Sequence, residues 1–384
     1  MPTRIRKIAV TTGGGDAPGL NAVIRAVTLS ARWRGWDVVG IRYGYRGLID
    51  DDPSFVIRLD RDAVRGITHI GGTILGSTNR GDPFHYPVMV DGKAVPTDVS
   101  ARVAERAKAM GIDALVVIGG DGSIKLASRL LERGLPRVVA VPKTIDNDLA
   151  GTDVTFGFQT AVATATDALD KVHSTAQSHE RVMVVEVMGR FAGWIALYAG
   201  ISGSADVILI PEIPFDIDVV AEKILRRERR GRPFSIVVVA EGARPKGGSM
   251  TYLAEKDAFT EHGRLGGIAA EVAEQIGRLT GKETRSLVLG HLQRGGAPVT
   301  ADRLLAQRLG CAATRFLASS RTESAMMAVR GQTILPVALS EATAGLRTVP
   351  LDSEILETGR DLGLCFGDEP KGTFLDVSIP PPPG

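Results

Sequence analysis

Short β-branched runs that stop at a glycine turn, each followed by a longer amphipathic stretch, recur along this chain and leave it few folds to adopt. Ile8-Ala9-Val10-Thr11 leads into Gly13-Gly14-Gly15, and Ala114-Leu115-Val116-Val117-Ile118 leads into Gly119-Gly120. Arg137-Val138-Val139-Ala140-Val141 is a third run of the same kind, ending at Pro142-Lys143. Continuous apolar strands alternating with helical patterns are the mark of βα units and a mostly parallel sheet. Open sheets of that kind collect ligands outside the carboxyl ends of their strands. The first helix is expected from about Pro18 to Arg34, with Asp16 as its N-cap and Pro18 near the first helical position. Strand patterns recur at 181–187, 205–210 and 235–240 with helical patterns between them, so a second α/β sheet is expected.

Length and composition bound the function from outside. A chain of 384 residues has room for two or three domains of ordinary size. Its formal charge of +2 supplies no surface for nucleic acid or another polyanion. No apolar stretch approaches the roughly 20 residues of a membrane span, so neither a membrane nor a nucleic-acid partner is expected. Cys311 and Cys365 are far apart and lack metal-ligand spacing, which fits a reducing, cytoplasmic setting.

Three motifs carry chemistry. The glycine-rich turn Thr11 to Asn21 lacks the G-K-[ST] ending of a P-loop, and Pro18 replaces the last glycine of a dinucleotide fingerprint. What remains is close backbone approach to a phosphate over a helix start, with a plain tight turn as the alternative. Gly119-Gly120-Asp121-Gly122-Ser123 is a second strand-to-helix turn, whose backbone amides can hold phosphate while Asp121 holds Mg²⁺. Its bland alternative is a helix capped by Ser123. In Pro142-Lys143-Thr144-Ile145-Asp146-Asn147-Asp148, one carboxylate can take the proton of an attacking hydroxyl while a neighbour assists the metal. A polar Asx-rich turn is the alternative there. Arg181, Arg285, His291 and Arg294 concentrate charge suited to a dianionic phosphate, although any one of these arginines alone reads as a surface ion pair.

Taken together, T-G-G-G-D-A-P-G-L-N, G-G-T-I-L-G-S, G-G-D-G-S, P-K-T-I-D-N-D, V-E-V-M-G-R and G-H-L-Q-R-G-G resemble the 6-phosphofructokinase family, in order from Ile8 to about Gly310. The resemblance implies an α/β protein of two doubly wound, Rossmann-like domains facing a cleft. It places the ATP and Mg²⁺ domain at 1–157 plus about 293–345, and the fructose 6-phosphate domain at 158–292 plus about 346–384. It further implies transfer of a phosphoryl group from MgATP to the 1-hydroxyl of fructose 6-phosphate. Asp146 would be the base, Thr144 would sit beside the acceptor, and Asp121 with Asp148 would hold Mg²⁺. Gly15, Gly120, Gly122, Ser123 and Lys143 would line the donor phosphates, Tyr45 would touch the nucleotide, and Arg80 would neutralise the moving phosphoryl group. Met188, Gly189, Arg190 and Glu241 would contact the sugar, with Arg190 counted in the catalytic set. Arg181, Arg285, His291 and Arg294 would hold the 6-phosphate. Arginines matching Arg181 and Arg285 come from a neighbouring subunit in the family, which implies a homo-oligomer, expected as a tetramer. The first-helix effector arginines of bacterial relatives are matched by Arg25 but not by Leu29.

Two residues point toward different phosphoryl donors. Gly122 stands where pyrophosphate-using relatives usually carry an aspartate, and it leaves room for ATP. Lys143 accompanies pyrophosphate use in those relatives but also occurs in some ATP-dependent branches, so ATP is the expected donor and pyrophosphate the alternative. A lipid or NAD kinase shares the G-G-D-G-S turn but gives T-I-D-N-D and the arginine–histidine set no role. A non-catalytic phosphosugar sensor is disfavoured by the presence of Asp121, Asp146 and Asp148 together.

Overall fold

Alanine, valine and isoleucine fill the strands because these strands are covered on both faces; all six residues of Ala114–Gly119 are buried. The structure, a computed structural model, describes residues 5–78, 81–254, 264–319 and 323–374. Its described residues divide into two units, one of residues up to 160 together with 294–347, the other of 161–254, 264–293 and 348–374. Both units are thus assembled from separated stretches of chain.

In the first unit the sheet runs Thr333–Val337, Ala325–Arg330, Arg137–Thr144, Ala114–Gly119, Lys7–Thr12, Asp37–Ile41, Val56–Arg58. The inner pairs are parallel and the two outermost are antiparallel. From its first strand the chain steps to Asp37–Ile41 on one side and later returns to Ala114–Gly119 on the other. Connection order therefore reverses between Lys7–Thr12 and Ala114–Gly119, and that reversal opens a crevice at their carboxyl ends. Both glycine turns lie there.

The first helix is Leu20–Trp33, not the expected start near Pro18, and its N-cap is Gly19 at φ 109° rather than Asp16. Gly19 explains the delay. Its left-handed backbone suits glycine, and a Cβ there would come within 2.8 Å of the Phe156 ring. Two residues later, Asn21 is buried and accepts the Ile74 N–H at 2.8 Å, tying the 70–74 segment to this helix.

The second unit holds a parallel sheet in the order Val207–Leu209, Ser235–Ala240, Val182–Val187, Thr284–Val288. Buried Glu186 on its first strand accepts the Gly267 and Ala269 N–H groups at 3.2 and 3.0 Å, fixing the start of helix Ile268–Thr280. Carboxylates that take the N–H groups at a helix start are stabilised by the helix dipole.

Asp302 plays a comparable part in the first unit. Wholly buried, it accepts the Thr160 N–H at 2.7 Å and the Thr160 hydroxyl at 2.6 Å near the start of helix Phe158–Ser178. Burial raises its pKa, and the Thr160 donors pull in the opposite direction. Asp302→Ala strands both donors and should cost ~1–3 kcal/mol. The check is a urea titration with an unchanged m-value; a midpoint equal to that of the parent would refute the role.

Candidate active site

At the end of the first strand, the Gly13 N–H donates to the Ile118 carbonyl at 3.1 Å and the Gly14 N–H to the Thr78 carbonyl at 3.3 Å. The Ser77 hydroxyl donates to the Gly14 carbonyl. A Cβ on Gly13 would stand 2.7 Å from Ser123 Oγ, and one on Gly119 would stand 2.5 Å from the same atom. The two turns meet at this distance only because both are glycines.

Helix Asp121–Glu132 begins at this junction with Gly120 as N-cap and no side-chain cap. Ser123 is its third residue, turned toward Gly13 and Gly119, so the capping alternative does not hold. The uncapped N–H groups are suited to an anion. Asp121 takes Lys125 Nζ on Oδ2 at 2.6 Å, while its Oδ1 is buried with no hydrogen-bond partner among the described residues. Gly122 is exposed and has no positive φ. Its backbone would accept any residue, so what glycine supplies is space and the absence of charge.

Lys143 is the next-to-last residue of strand Arg137–Thr144, 4% exposed, and its Nζ donates to the Gly15 carbonyl. Burial, and after it the charge of Arg294, lowers its pKa from 10.5 to about 8, against the pull of Asp146, Asp148 and Asp16. Arg294 Nη1 donates to the Asp16 carbonyl at 3.1 Å, and a Cβ on Gly15 would lie 2.8 Å from that nitrogen. Two cations therefore flank the first glycine turn.

The carboxylates follow at once in sequence. Thr144 Oγ1 accepts the Asp146 N–H at 3.0 Å and donates to Asp148 Oδ1 at 3.1 Å. Between them Asn147 takes the left-handed region at φ 53°, held by the Thr155 N–H on its Oδ1 at 3.0 Å. Burial first, then the charge of Asp146, raises the Asp148 pKa from 3.8 to about 6, with a smaller push from Asp121. No group of three or more His, Cys, Asp or Glu forms a metal cage among the described residues. This donor set suits Mg²⁺, which takes one or two carboxylates and completes its shell with water and phosphate.

In the second unit, Met188, Gly189, Arg190, Glu241 and His291 follow the carboxyl ends of three neighbouring parallel strands. The Glu241 N–H donates to the Val187 carbonyl at 2.8 Å and the Gly242 N–H to the Gly189 carbonyl at 3.0 Å. Only glycine fits at 242, since a Cβ would fall 1.8 Å from the Arg190 carbonyl oxygen. Buried Gln293, which sequence reasoning passed over inside G-H-L-Q-R-G-G, donates to the Gly290 carbonyl at 3.1 Å and accepts the Met188 N–H at 3.4 Å.

Within the second unit, Arg181 and Arg285 lie apart from His291. Arg181 and Arg285 converge on Glu283, at 2.8 and 2.6 Å, at the amino end of the strands. His291 lies past the opposite, carboxyl end, because a parallel strand separates its two ends by its whole length. Arg294 belongs to the first unit, at Asp16. Tyr45 is a core side chain, 4% exposed, its phenol pKa raised by burial. Arg80 lies outside the described residues. Arg347, also missed, touches the Asn147 carbonyl from 200 residues away, a separation that leaves no local signal.

A family model described as phosphofructokinase matches residues 7–317. The chain belongs to the phosphofructokinase family. It is 52% identical to the ATP-dependent 6-phosphofructokinase of Chloroflexus aurantiacus over 96% of this chain and 100% of that one. It is also 49% identical to the pyrophosphate–fructose 6-phosphate 1-phosphotransferase of Amycolatopsis methanolica, over 90% of this chain and 96% of that one. Among solved structures, the phosphofructokinase of Pichia pastoris in its T-state superposes with a TM-score of 0.75 at 32% identity, covering 94% of this chain and 37% of that longer one. The phosphofructokinase fold thus accounts for both parallel sheets described above.

Because its folded pKa exceeds the unfolded value, Asp148 loses stability as pH rises from 3.8 through about 6. In metal-free protein Asp148→Asn should therefore gain ~1–3 kcal/mol at neutral pH, and the gain should vanish in acid. Thermal denaturation at two pH values reads this out; a variant no more stable than the parent at neutral pH would contradict it.

Proposed function

We propose that this phosphofructokinase is an ATP-dependent 6-phosphofructokinase, transferring the γ-phosphoryl group of ATP to the 1-hydroxyl of fructose 6-phosphate. The observation that carries the reading is the uncapped start of helix Asp121–Glu132, with exposed Gly122 as its second residue and Lys143 donating to the Gly15 carbonyl of the first glycine turn. Asp146 removes the proton of the 1-hydroxyl as its oxygen bonds to the γ-phosphorus. The bond from that phosphorus to the β–γ bridging oxygen breaks, and ADP departs with the electron pair. Such a loose transition state asks chiefly for alignment and neutralised oxygens, so Asp146 need not be a strong base.

Thr144 orients Asp146 and Asp148 through its hydroxyl. Asp121 and Asp148 would hold Mg²⁺, which would supply neutralisation of the phosphate oxygens when bound. The backbone at Gly15, Gly120, Gly122 and Ser123 receives the donor phosphates, with Lys143 and Arg294 balancing their charge. Met188, Gly189, Arg190, Glu241 and His291 receive the sugar phosphate. Arg181 and Arg285 serve the site of a neighbouring subunit in a homotetramer; their place at the far edge from His291 supports that assignment. The enzyme works in the cytoplasm, in glycolysis.

A second reading, with pyrophosphate as donor, draws on Lys143 and on the Amycolatopsis relative. Lys143 is already engaged with the Gly15 carbonyl, a position that serves either donor's terminal phosphate. Gly122 separates the two readings, because only a nucleotide extends beyond that phosphate.

Asp146→Ser should lower kcat by roughly 10²-fold to 10⁴-fold while fructose 6-phosphate still binds in equilibrium dialysis. Near-normal turnover in that variant would overturn the base assignment. Gly122→Asp should cost MgATP at least ~100-fold in kcat/KM, equivalent to about 2.7 kcal/mol of transition-state binding. An unchanged MgATP rate would remove Gly122 as the donor determinant.

A further inference from the structure

We propose that Arg347 is a positioning residue for the Asp146–Asp148 turn. The main chain there has outside support: Asn147 is a non-glycine residue in the left-handed region at φ 53°, an uncommon conformation that its neighbours hold in place. Part of that support is local: the Thr155 N–H meets Asn147 Oδ1, and the Thr155 hydroxyl donates to the Thr144 carbonyl at 2.7 Å. The rest comes from one distant residue. Arg347 Nη1 donates to the Asn147 carbonyl at 3.1 Å, and the Arg347 main-chain N–H donates to the Asp148 carbonyl at 2.8 Å. An antiparallel bridge between Leu149 and Leu346 continues the same pairing.

Arg347 therefore holds the Asn147 and Asp148 carbonyls, while the Thr144 hydroxyl holds the Asp146 N–H and the Asp148 carboxylate. It lies in the C-terminal segment, beyond residue 317, where the family model's match ends. That segment is itself anchored: Arg330 pairs with Glu341 at 2.7 Å just after strand Thr333–Val337, and the Thr343 N–H donates to the Leu339 carbonyl at 3.1 Å. Arginine suits the task because its planar head stays charged and presents fixed N–H directions to a carbonyl. A displacement of ~1 Å in a group that must align with a phosphoryl acceptor costs up to ~10²-fold in rate.

The inference rests on the reading of Asp146 and Asp148 given above, so its test has one arm with substrate and one without. Arg347→Ala, which keeps the main-chain N–H and removes the guanidinium, should lose roughly 10-fold to 100-fold in kcat with both KM values within about threefold of the parent. Amide hydrogen exchange without substrate should quicken by roughly 10-fold at 145–149 and stay unchanged in strand Lys7–Thr12. Arg347→Lys should fall between parent and alanine variant in both arms, and it carries the comparison if Arg347→Ala does not accumulate folded. Unchanged exchange at 145–149, or an equal acceleration across the whole first unit, would overturn the positioning role whatever the activity. So would a kcat within twofold of the parent. A parent enzyme inactive toward fructose 6-phosphate would instead defeat the functional reading, leaving the exchange arm to decide on Arg347.

Discussion

The approach of Gly13 to Gly119 and Ser123 sets the geometry on which everything else in the first unit depends. It occurs where the strand order reverses, between Lys7–Thr12 and Ala114–Gly119, and the parallel ladder between these strands fixes it in register. Any side chain at either glycine would strike Ser123 and pry the turns apart. With the turns together, a helix start without a side-chain cap lies beside Gly13 and the end of strand Arg137–Thr144. The fold thus builds an anion site from main chain alone and leaves side chains for chemistry.

Charge is arranged unevenly around that junction. Lys143 and Arg294 crowd the first turn closely enough that burial and mutual repulsion pull the lysine pKa to about 8. Asp121, Asp146 and Asp148 crowd the other side, and Asp148 rises to about 6. Each set is costly in the absence of its counter-charge. Donor phosphates relieve the first, and a divalent cation relieves the second. Binding energy is thereby directed at the groups that must be aligned for phosphoryl transfer.

Most of this was legible from sequence where the signal is local. Runs of buried β-branched residues gave the central strands, because strands covered on both faces are mostly apolar, their few polar members such as Glu186 and Lys143 being those with partners. The helix start was misread at Asp16 because capping preference is weaker than the demand of Gly19 for room beside Phe156. That Arg181 and Arg285 sit with Glu283, at the opposite end of the strands from His291, is not written in the linear motifs, which do not say which residues share one end of a sheet. Gln293 is uncharged and makes its contacts with Gly290 and Met188 from a buried position, so nothing in G-H-L-Q-R-G-G marks it out. Arg347 offered no pattern, since its contacts with Asn147 and Asp148 join parts of the chain 200 residues apart.

The central claim is that an exposed Gly122 and a helix start left without a side-chain cap admit a nucleotide as phosphoryl donor. Initial rates with MgATP and with magnesium pyrophosphate, on one preparation at saturating fructose 6-phosphate, test it most directly. The account predicts that kcat/KM for MgATP is larger by at least ~10-fold, a difference of about 1.4 kcal/mol. A kcat/KM larger for pyrophosphate than for MgATP would contradict it and make Lys143, rather than Gly122, the residue that chooses the donor.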